Sequence, residues 1–408
     1  MLRRLALLVL LVTPALLAGP LTEVAPREVR LARAPLEALR GDLDRLVEER
    51  VVPGAAVLVA RRGKVAFVHL AGEAAPGAPM QRDTIFRIYS MSKPITSVAA
   101  LVLWEQGQLD LDAPVSRYVP ELADLQVWAS QGDLAEPARQ PTVKDLFLHT
   151  SGFTYGLFGD TRVDQLYRDA GVLNPLEPLS AFTKKLGKLP LLYAPGERWH
   201  YSVSIDVLGH VVERVSGQRL DSFMQERIFA PLHMSDTGFF VPQDKLGRLA
   251  ACYAPGEGGF STRELPKTSP FQFQPPFLGG GGGLVSTLDD YARFALMVLG
   301  RGQLDGARVL KPETVERFML RDQLPADLSG RAIAPGVGFG FGGSVRNAFD
   351  PRAENHVVGE FGWGGLAGTT FFVAPDQELV GVCMQQLMPH GRQLDEAVRA
   401  RVLRAVVY

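Results

Sequence analysis

The chain has 408 residues, 46% of them hydrophobic, enough for a large core and for two domains or one elaborate one. Its 43 basic and 44 acidic residues leave a formal net charge of -1 with no basic block, which argues against a nucleic-acid partner.

Arg3 and Arg4 precede an apolar run at residues 5–12 that resumes after Pro14 at residues 15–18. A positive start, a short apolar core and small residues at Ala18 and Gly19 form the pattern of a secretory signal. Residues 1–25 are therefore expected to be a leader, cut between Ala18 and Ala25, and the mature chain to be periplasmic or secreted. The apolar run is shorter than the roughly 20 residues of a membrane span, and Pro14 interrupts it. No stable span is expected after processing. Pro20 stands where a lipoprotein signal needs cysteine.

Leu36, Leu39, Leu43 and Leu46 make one apolar helix face, ended by Pro53-Gly54. Residues 55–60 and 65–70 flank Arg61-Arg62-Gly63-Lys64, a hairpin signal. A helix is expected from the stretch Phe86-Arg-Ile-Tyr-Ser-Met-Ser-Lys-Pro-Ile-Thr96 to about Gln106, stopped by Gly107. Residues 109–302 are rich in proline and loop signals, with helical patterns at 142–149, 204–216 and 220–229. Ser286-Thr287-Leu288-Asp289-Asp290 opens another helix with a capping box. Residues 336–345, 369–373 and 379–385 pattern as strands, with a turn at 375–378, and residues 394–408 close the chain as a helix.

Strands and a helix at both ends, around a helical and loop-rich middle, predict an α/β fold of α+β type. A sheet domain split between residues 26–89 and 303–408 would be interrupted by a mainly helical insertion, 90–302, with the active site at their interface. No internal repeat is present. Cys252 and Cys383 are expected as buried free thiols, and neither neighbours a histidine in sequence.

The chemistry centres on Ser90 and Lys93. On a helix, residues i and i+3 share a face one turn apart, so the lysine can reach the serine hydroxyl. That hydroxyl is a weak nucleophile until a base takes its proton. Pro94 lacks an N–H, which is harmless only in a helix's first turn, so Ser90 should sit at or just before that turn. Its own N–H then points outward, with the helix dipole favouring negative charge there. Ser-x-x-Lys also arises readily by chance, and a serine there could simply cap the helix. Ser92 is assigned to packing or capping.

Other motifs fail. Gly-x-Ser-x-Gly and His-Glu-x-x-His do not occur, so neither an α/β-hydrolase elbow nor a zinc site is expected. Gly338-Phe-Gly340-Phe-Gly-Gly343 matches a dinucleotide fingerprint in letters but lacks the strand–loop–helix unit, and is expected to be a glycine-lined strand. The glycine run 279–283 lacks the Lys-Ser/Thr of a phosphate loop and is assigned to close backbone approach or a turn. Ser235-Asp236-Thr237 and Lys267-Thr268-Ser269 imitate class A β-lactamase motifs and are rejected.

With these residues in place, the chain resembles the serine hydrolases that include class C β-lactamases, D-alanyl-D-alanine carboxypeptidases and family VIII carboxylesterases. The resemblance covers nearly the whole mature chain and implies a β-lactamase/penicillin-binding-protein-like fold. Phe86-Arg-Ile-Tyr-Ser90-Met-Ser-Lys93-Pro is similar to the nucleophile segment, and Leu109-Asp-Leu-Asp-Ala-Pro-Val follows as it does there. Leu148-His-Thr-Ser-Gly152 resembles a loop bordering the active site, which implies a structural role for His149. Tyr201 in Trp199-His-Tyr-Ser-Val203 maps to the catalytic tyrosine, with Val203 where β-lactamases carry asparagine, a departure shared with esterase members. Phe361-Gly-Trp363-Gly364-Gly365-Leu366 matches the third motif, with Trp363 in place of a lysine that would bind a substrate carboxylate. Tryptophan offers an apolar wall instead, which favours neutral esters.

The resemblance thus implies a serine esterase. Ser90 is the nucleophile, Lys93 and Tyr201 the general base and acid, and the Ser90 and Leu366 amides the oxyanion donors. Trp363, Gly364 and Gly365 bind substrate. The expected partner is a small ester or acyl substrate, with no cofactor and no metal. The alternatives are a β-lactamase or D-alanyl-D-alanine peptidase, an acyltransferase, or a non-catalytic penicillin-recognition scaffold. Phe153, Tyr155, Phe158, Phe277 and Trp363 are the aromatic candidates for an apolar pocket.

Overall fold

The computed structural model describes residues 21–129, 132–329, 333–348 and 356–408. Most of the leader expected at residues 1–25 lies outside the described residues. Its last five residues lie within them: Leu21 is buried, and the Val24 N–H donates to the Val65 carbonyl at 2.9 Å.

Eight strands form one antiparallel sheet. They are β1 (Gly54–Arg61), β2 (Lys64–Ala75), β3 (Ala78–Pro79), β4 (Val337–Gly340), β5 (Gly343–Arg346), β6 (Phe361–Gly364), β7 (Thr370–Ala374) and β8 (Leu379–Met384). Their order is β4-β5-β6-β7-β8-β1-β2-β3, so the last strand of the chain pairs with the first. Ala56 stands opposite Met384 and Arg61 opposite Leu379, which brings the two ends of the chain together. The register of β1 and β2 shifts between Val59 and Ala60, the mark of a bulge.

Strand β1 is buried along its whole length because both faces of the sheet are covered. Alternate side chains divide between two cores, as the period of two requires. Ala56, Leu58 and Ala60 join one with Ile95 and Val98 of α2 (Ser92–Glu105) and Leu288 and Phe294 of α4 (Leu288–Leu299). Ala55, Val57 and Val59 join the other with Leu36, Leu39 and Leu43 of α1 (Arg33–Glu48) and Leu394, Val398 and Val402 of α5 (Gln393–Ala405). Each fully buried Val or Leu contributes about 1.5–3 kcal/mol of transfer free energy.

Between β3 and β4 lie the helices and loops that build the site, among them α2, α3 (Ser204–Ser216) and α4. Thr287 caps α4 by accepting the Asp290 N–H at 3.2 Å. The expected capping box is only half made. Asp290 does not reach back to Thr287 but accepts from the Asp236 N–H and the Thr237 hydroxyl, joining α4 to a neighbouring loop.

Two expected elements differ. The single strand expected at 336–345 is the hairpin β4–β5, because Gly342 turns the chain at φ +92°. A Cβ there would lie 2.8 Å from the Pro94 Cα, so glycine lets the turn pack on α2. The helix expected at 220–229 is α-helical only over Leu220–Met224 and continues as a wider π turn, Gln225–Phe229. Cys252 and Cys383 are both buried free thiols. Among the described residues, no helix is long and apolar enough to cross a membrane.

Candidate active site

The segment before Ser90 is clamped from three directions. Ile85–Arg87 pairs antiparallel with Val285–Thr287. The Arg87 main chain exchanges hydrogen bonds with the Gln386 side-chain amide, at 3.1 and 3.0 Å. The buried Arg87 guanidinium pairs with Glu264 and donates to the Ala250 carbonyl (2.7 Å) and the Ser269 hydroxyl (3.0 Å). Tyr89–Met91 then makes one 3₁₀ turn and α2 begins at Ser92. Ser90 therefore precedes the first turn, and Pro94 falls inside it, where its missing donor has no helical partner. Tyr89 holds φ at +41°, a strained conformation for a non-glycine residue, fixed directly before the reactive hydroxyl.

The glycine run lies along the first turn of α2. The Leu284 N–H donates to Ser92 Oγ at 3.1 Å, Lys93 Nζ to the Gly281 carbonyl at 2.6 Å, and Thr96 Oγ1 to the Gly280 carbonyl at 2.7 Å. The run is thus a close backbone approach, and Ser92 ties it to the helix.

Two side chains converge on the Ser90 oxygen. Lys93 Nζ is 3.1 Å from Ser90 Oγ and the Tyr201 hydroxyl is 2.7 Å from it. Lys93 is fully buried, with its ammonium 4.5 Å from the Tyr201 ring centroid. Tyr201 precedes α3, and the neighbouring Val203 is buried in the core rather than lining the site. The Trp363 indole Nε1–H lies 3.5 Å from the Tyr201 hydroxyl.

His149 supports Tyr201 from behind. Its ring lies 4.9 Å from the Tyr201 ring, and its Nδ1 accepts the Ser202 N–H at 3.2 Å. Burial, with the nearby Lys93 charge, pushes this imidazole well below its ordinary pKa, so the ring is held neutral.

Strand β6 carries the third motif to the same place. The Gly365 N–H donates to the Thr369 carbonyl at 2.7 Å, closing the turn that exposes Leu366. A Cβ on Gly365 would sit 2.4 Å from the Ile88 carbonyl, so only glycine lets this turn reach the nucleophile segment.

These residues open into a cavity of about 760 Å³ whose wall includes Tyr89, Ser90, Tyr201, Trp363, Gly364, Gly365 and Leu366. Tyr155, Phe158 and Phe277 line it as expected, but Phe153 does not. Its ring is fully buried in the core, whereas Tyr155 in the same irregular loop lines the cavity. Among the described residues, no lysine or arginine lines the cavity, and its ionisable groups besides the tyrosines are Asp206 and His390. Leu173, Phe239, Phe271 and Asp206 escaped sequence reasoning. The first three come from separate loops that only the fold unites. Asp206 left a signal, a lone acid inside the apolar run Ile205, Val207, Leu208.

The rejected motifs have structural uses. Gly338 and Gly340 lie in hairpin β4–β5, and Asp236 is held by Lys245 and Arg248. Among the described residues, no cluster of His, Cys, Asp and Glu could hold a metal ion.

Compared with known protein families, residues 39–405 match the one described as Beta-lactamase. Protein Rv1367c of Mycobacterium tuberculosis is 35% identical over 87% of this chain and 90% of its own length. Esterase EstB of Burkholderia gladioli is 32% identical over 85% of this chain and 90% of its own. Among solved structures, EstCE1, described as a hydrolase with promiscuous acyltransferase activity, superposes with a TM-score of 0.80. That match is 26% identical and covers 91% of this chain and 98% of EstCE1.

Proposed function

The chain belongs to the beta-lactamase family, and from that premise we propose that it is a serine hydrolase of neutral carboxylic esters. The observation that carries this reading is the convergence of Lys93 Nζ and the Tyr201 hydroxyl on Ser90 Oγ, at 3.1 and 2.7 Å. A serine oxygen with two proton-handling groups in reach can lose its proton as it attacks.

The Ser90 oxygen bonds to the ester carbonyl carbon while its proton passes to the Lys93–Tyr201 pair. The two groups share this work. The carbonyl oxygen becomes an oxyanion held by the Ser90 and Leu366 N–H groups. Collapse breaks the bond to the alcohol oxygen, which takes the proton back and leaves. Water then adds to the acyl-enzyme by the same route and frees the acid.

Substrate charge separates this reading from a β-lactamase or peptidase. β-Lactams and D-alanyl peptides carry a carboxylate, and burying one without a cation beside it is costly. Trp363 and a mostly apolar wall suit a neutral ester instead. EstB, an esterase by name, supports the same choice.

A p-nitrophenyl ester series and a chromogenic cephalosporin, each given to wild type and to Ser90→Ala, test it. Ester cleavage that is faster than cephalosporin cleavage and lost in Ser90→Ala is expected. A cephalosporin that outruns every ester would sink the esterase reading.

A further inference from the structure

Asp206 is a charged side chain in an apolar place. It lies on α3 between Ile205 and Val207, is 3% exposed, and touches the cavity wall. A buried carboxylate is costly unless hydrogen bonds and opposite charge compensate it. Oδ1 accepts the Gly281 N–H at 2.9 Å, and Oδ2 lies 3.5 Å from the Tyr155 hydroxyl. The carbonyl of the same Gly281 accepts from Lys93 Nζ at 2.6 Å. Gly281 is therefore gripped on its N–H by the acid and on its carbonyl by the lysine.

The groups facing this pair are aromatic or neutral. Tyr155 and Tyr201 present their ring faces to the Lys93 ammonium at 5.4 and 4.5 Å, and His149 behind Tyr201 is uncharged. Lys93 is the cation that acts on the Asp206 carboxyl. Burial raises that carboxyl above its ordinary range, and Lys93 and the Gly281 N–H draw it back.

The geometry points to Asp206 as a positioning residue for the Ser90 reaction: it pins the Gly281 main chain that receives Lys93 and supplies the counter-charge to the Lys93 ammonium. This assignment rests on the esterase reading. Asp206 does not touch the ester. It acts by setting where the Lys93 donor points and how firmly the Lys93–Tyr201 pair holds its positive charge. A negative charge beside a lysine favours its cation.

Two variants test it. Asp206→Asn keeps an acceptor for the Gly281 N–H and removes the charge. With a p-nitrophenyl ester, kcat is expected to fall about tenfold with KM unchanged, and the alkaline limb of the kcat/KM profile to move to lower pH. Asp206→Ala loses both functions. Because Asp206 lines the open cavity, added formate is expected to restore part of the lost kcat, and chloride none. An Asp206→Asn enzyme with the wild-type pH profile, whatever its rate, would overturn the assignment. So would an Asp206→Ala enzyme that ignores formate, or a pair of variants that do not fold at all. Each of these leaves the esterase reading standing, whereas a wild type that cleaves no ester overturns both.

Discussion

Arg399 and Lys93 are both buried cations, on opposite faces of the same sheet, and their partners differ. The Arg399 guanidinium is surrounded by charge. It bonds both Asp395 oxygens at 2.9 Å, pairs with the buried Glu360, reaches His356 at 3.1 Å and lies 4.6 Å over the Phe372 ring. That surplus of negative charge pushes its pKa further up, even against burial. Among the described residues, Lys93 has no carboxylate in direct contact. Its hydrogen bonds go to a neutral carbonyl and to the Ser90 hydroxyl, with aromatic faces around them. A buried charge met by opposite charges is compensated where it sits, so it braces the fold. A buried charge met mostly by neutral groups can aim a donor at a reactive atom.

Lys93→Met should break the active side of this contrast. It keeps the apolar stem and removes the donor, so ester turnover should fall by about 10³-fold, roughly 4 kcal/mol in barrier, in an enzyme that still folds. Stopped-flow release of p-nitrophenol and a thermal melt would check both halves. A variant within tenfold of wild type would contradict the role of Lys93.

Arg399→Ala should break the structural side. Removing the guanidinium leaves the buried Glu360 with the weaker His356 contact, so chemical denaturation should show a loss of about 3 kcal/mol. Turnover per folded molecule should stay near wild type. A folded Arg399→Ala enzyme with its stability intact and its kcat lost would reverse the comparison.

A smaller effect comes from His210, whose Nδ1 lies 3.0 Å from the Thr183 hydroxyl. Burial lowers this imidazole to about 4 from 6.5. The unfolded chain therefore binds the proton more readily, and stability should fall as pH drops from about 6.5 towards 4. Between pH 7 and 5 the loss should be about 1 kcal/mol, allowing for partial solvent access, and His210→Gln should flatten it. Denaturant midpoints at the two pH values would decide, and equal slopes in wild type and variant would contradict the assignment.

The sequence was most legible where local chemistry and chain order act together. Ser90, Lys93, Tyr201 and Trp363 come from three distant segments, and the structure joins them: Lys93 and Tyr201 reach the Ser90 oxygen, and Trp363 reaches the Tyr201 hydroxyl. Strand β1 and helices α1 and α5 were readable because a period of two or of nearly four leaves apolar residues in register. Hairpin β4–β5 was read as one strand because Phe341 and Gly342 continue the apolar and glycine pattern, and only packing of the turn on α2 shows the reversal. Phe153 and Tyr155 look alike as pocket candidates, and only the folded loop separates them, one buried in the core and the other on the cavity wall. Asp206 escaped the sequence reading although it stands as a lone acid in an apolar run, because its meaning needs Gly281, 75 residues away, and through it Lys93.

The central claim is that Ser90 is an activated nucleophile. Incubating wild type, Ser90→Ala and Lys93→Met with an alkyl fluorophosphonate, then mapping the adduct by peptide mass spectrometry, tests it most directly. A single adduct on Ser90 in wild type, absent from Ser90→Ala and much slower to form in Lys93→Met, is the expected result. An adduct on another residue, or equal labelling of the Ser90→Ala variant, would contradict it.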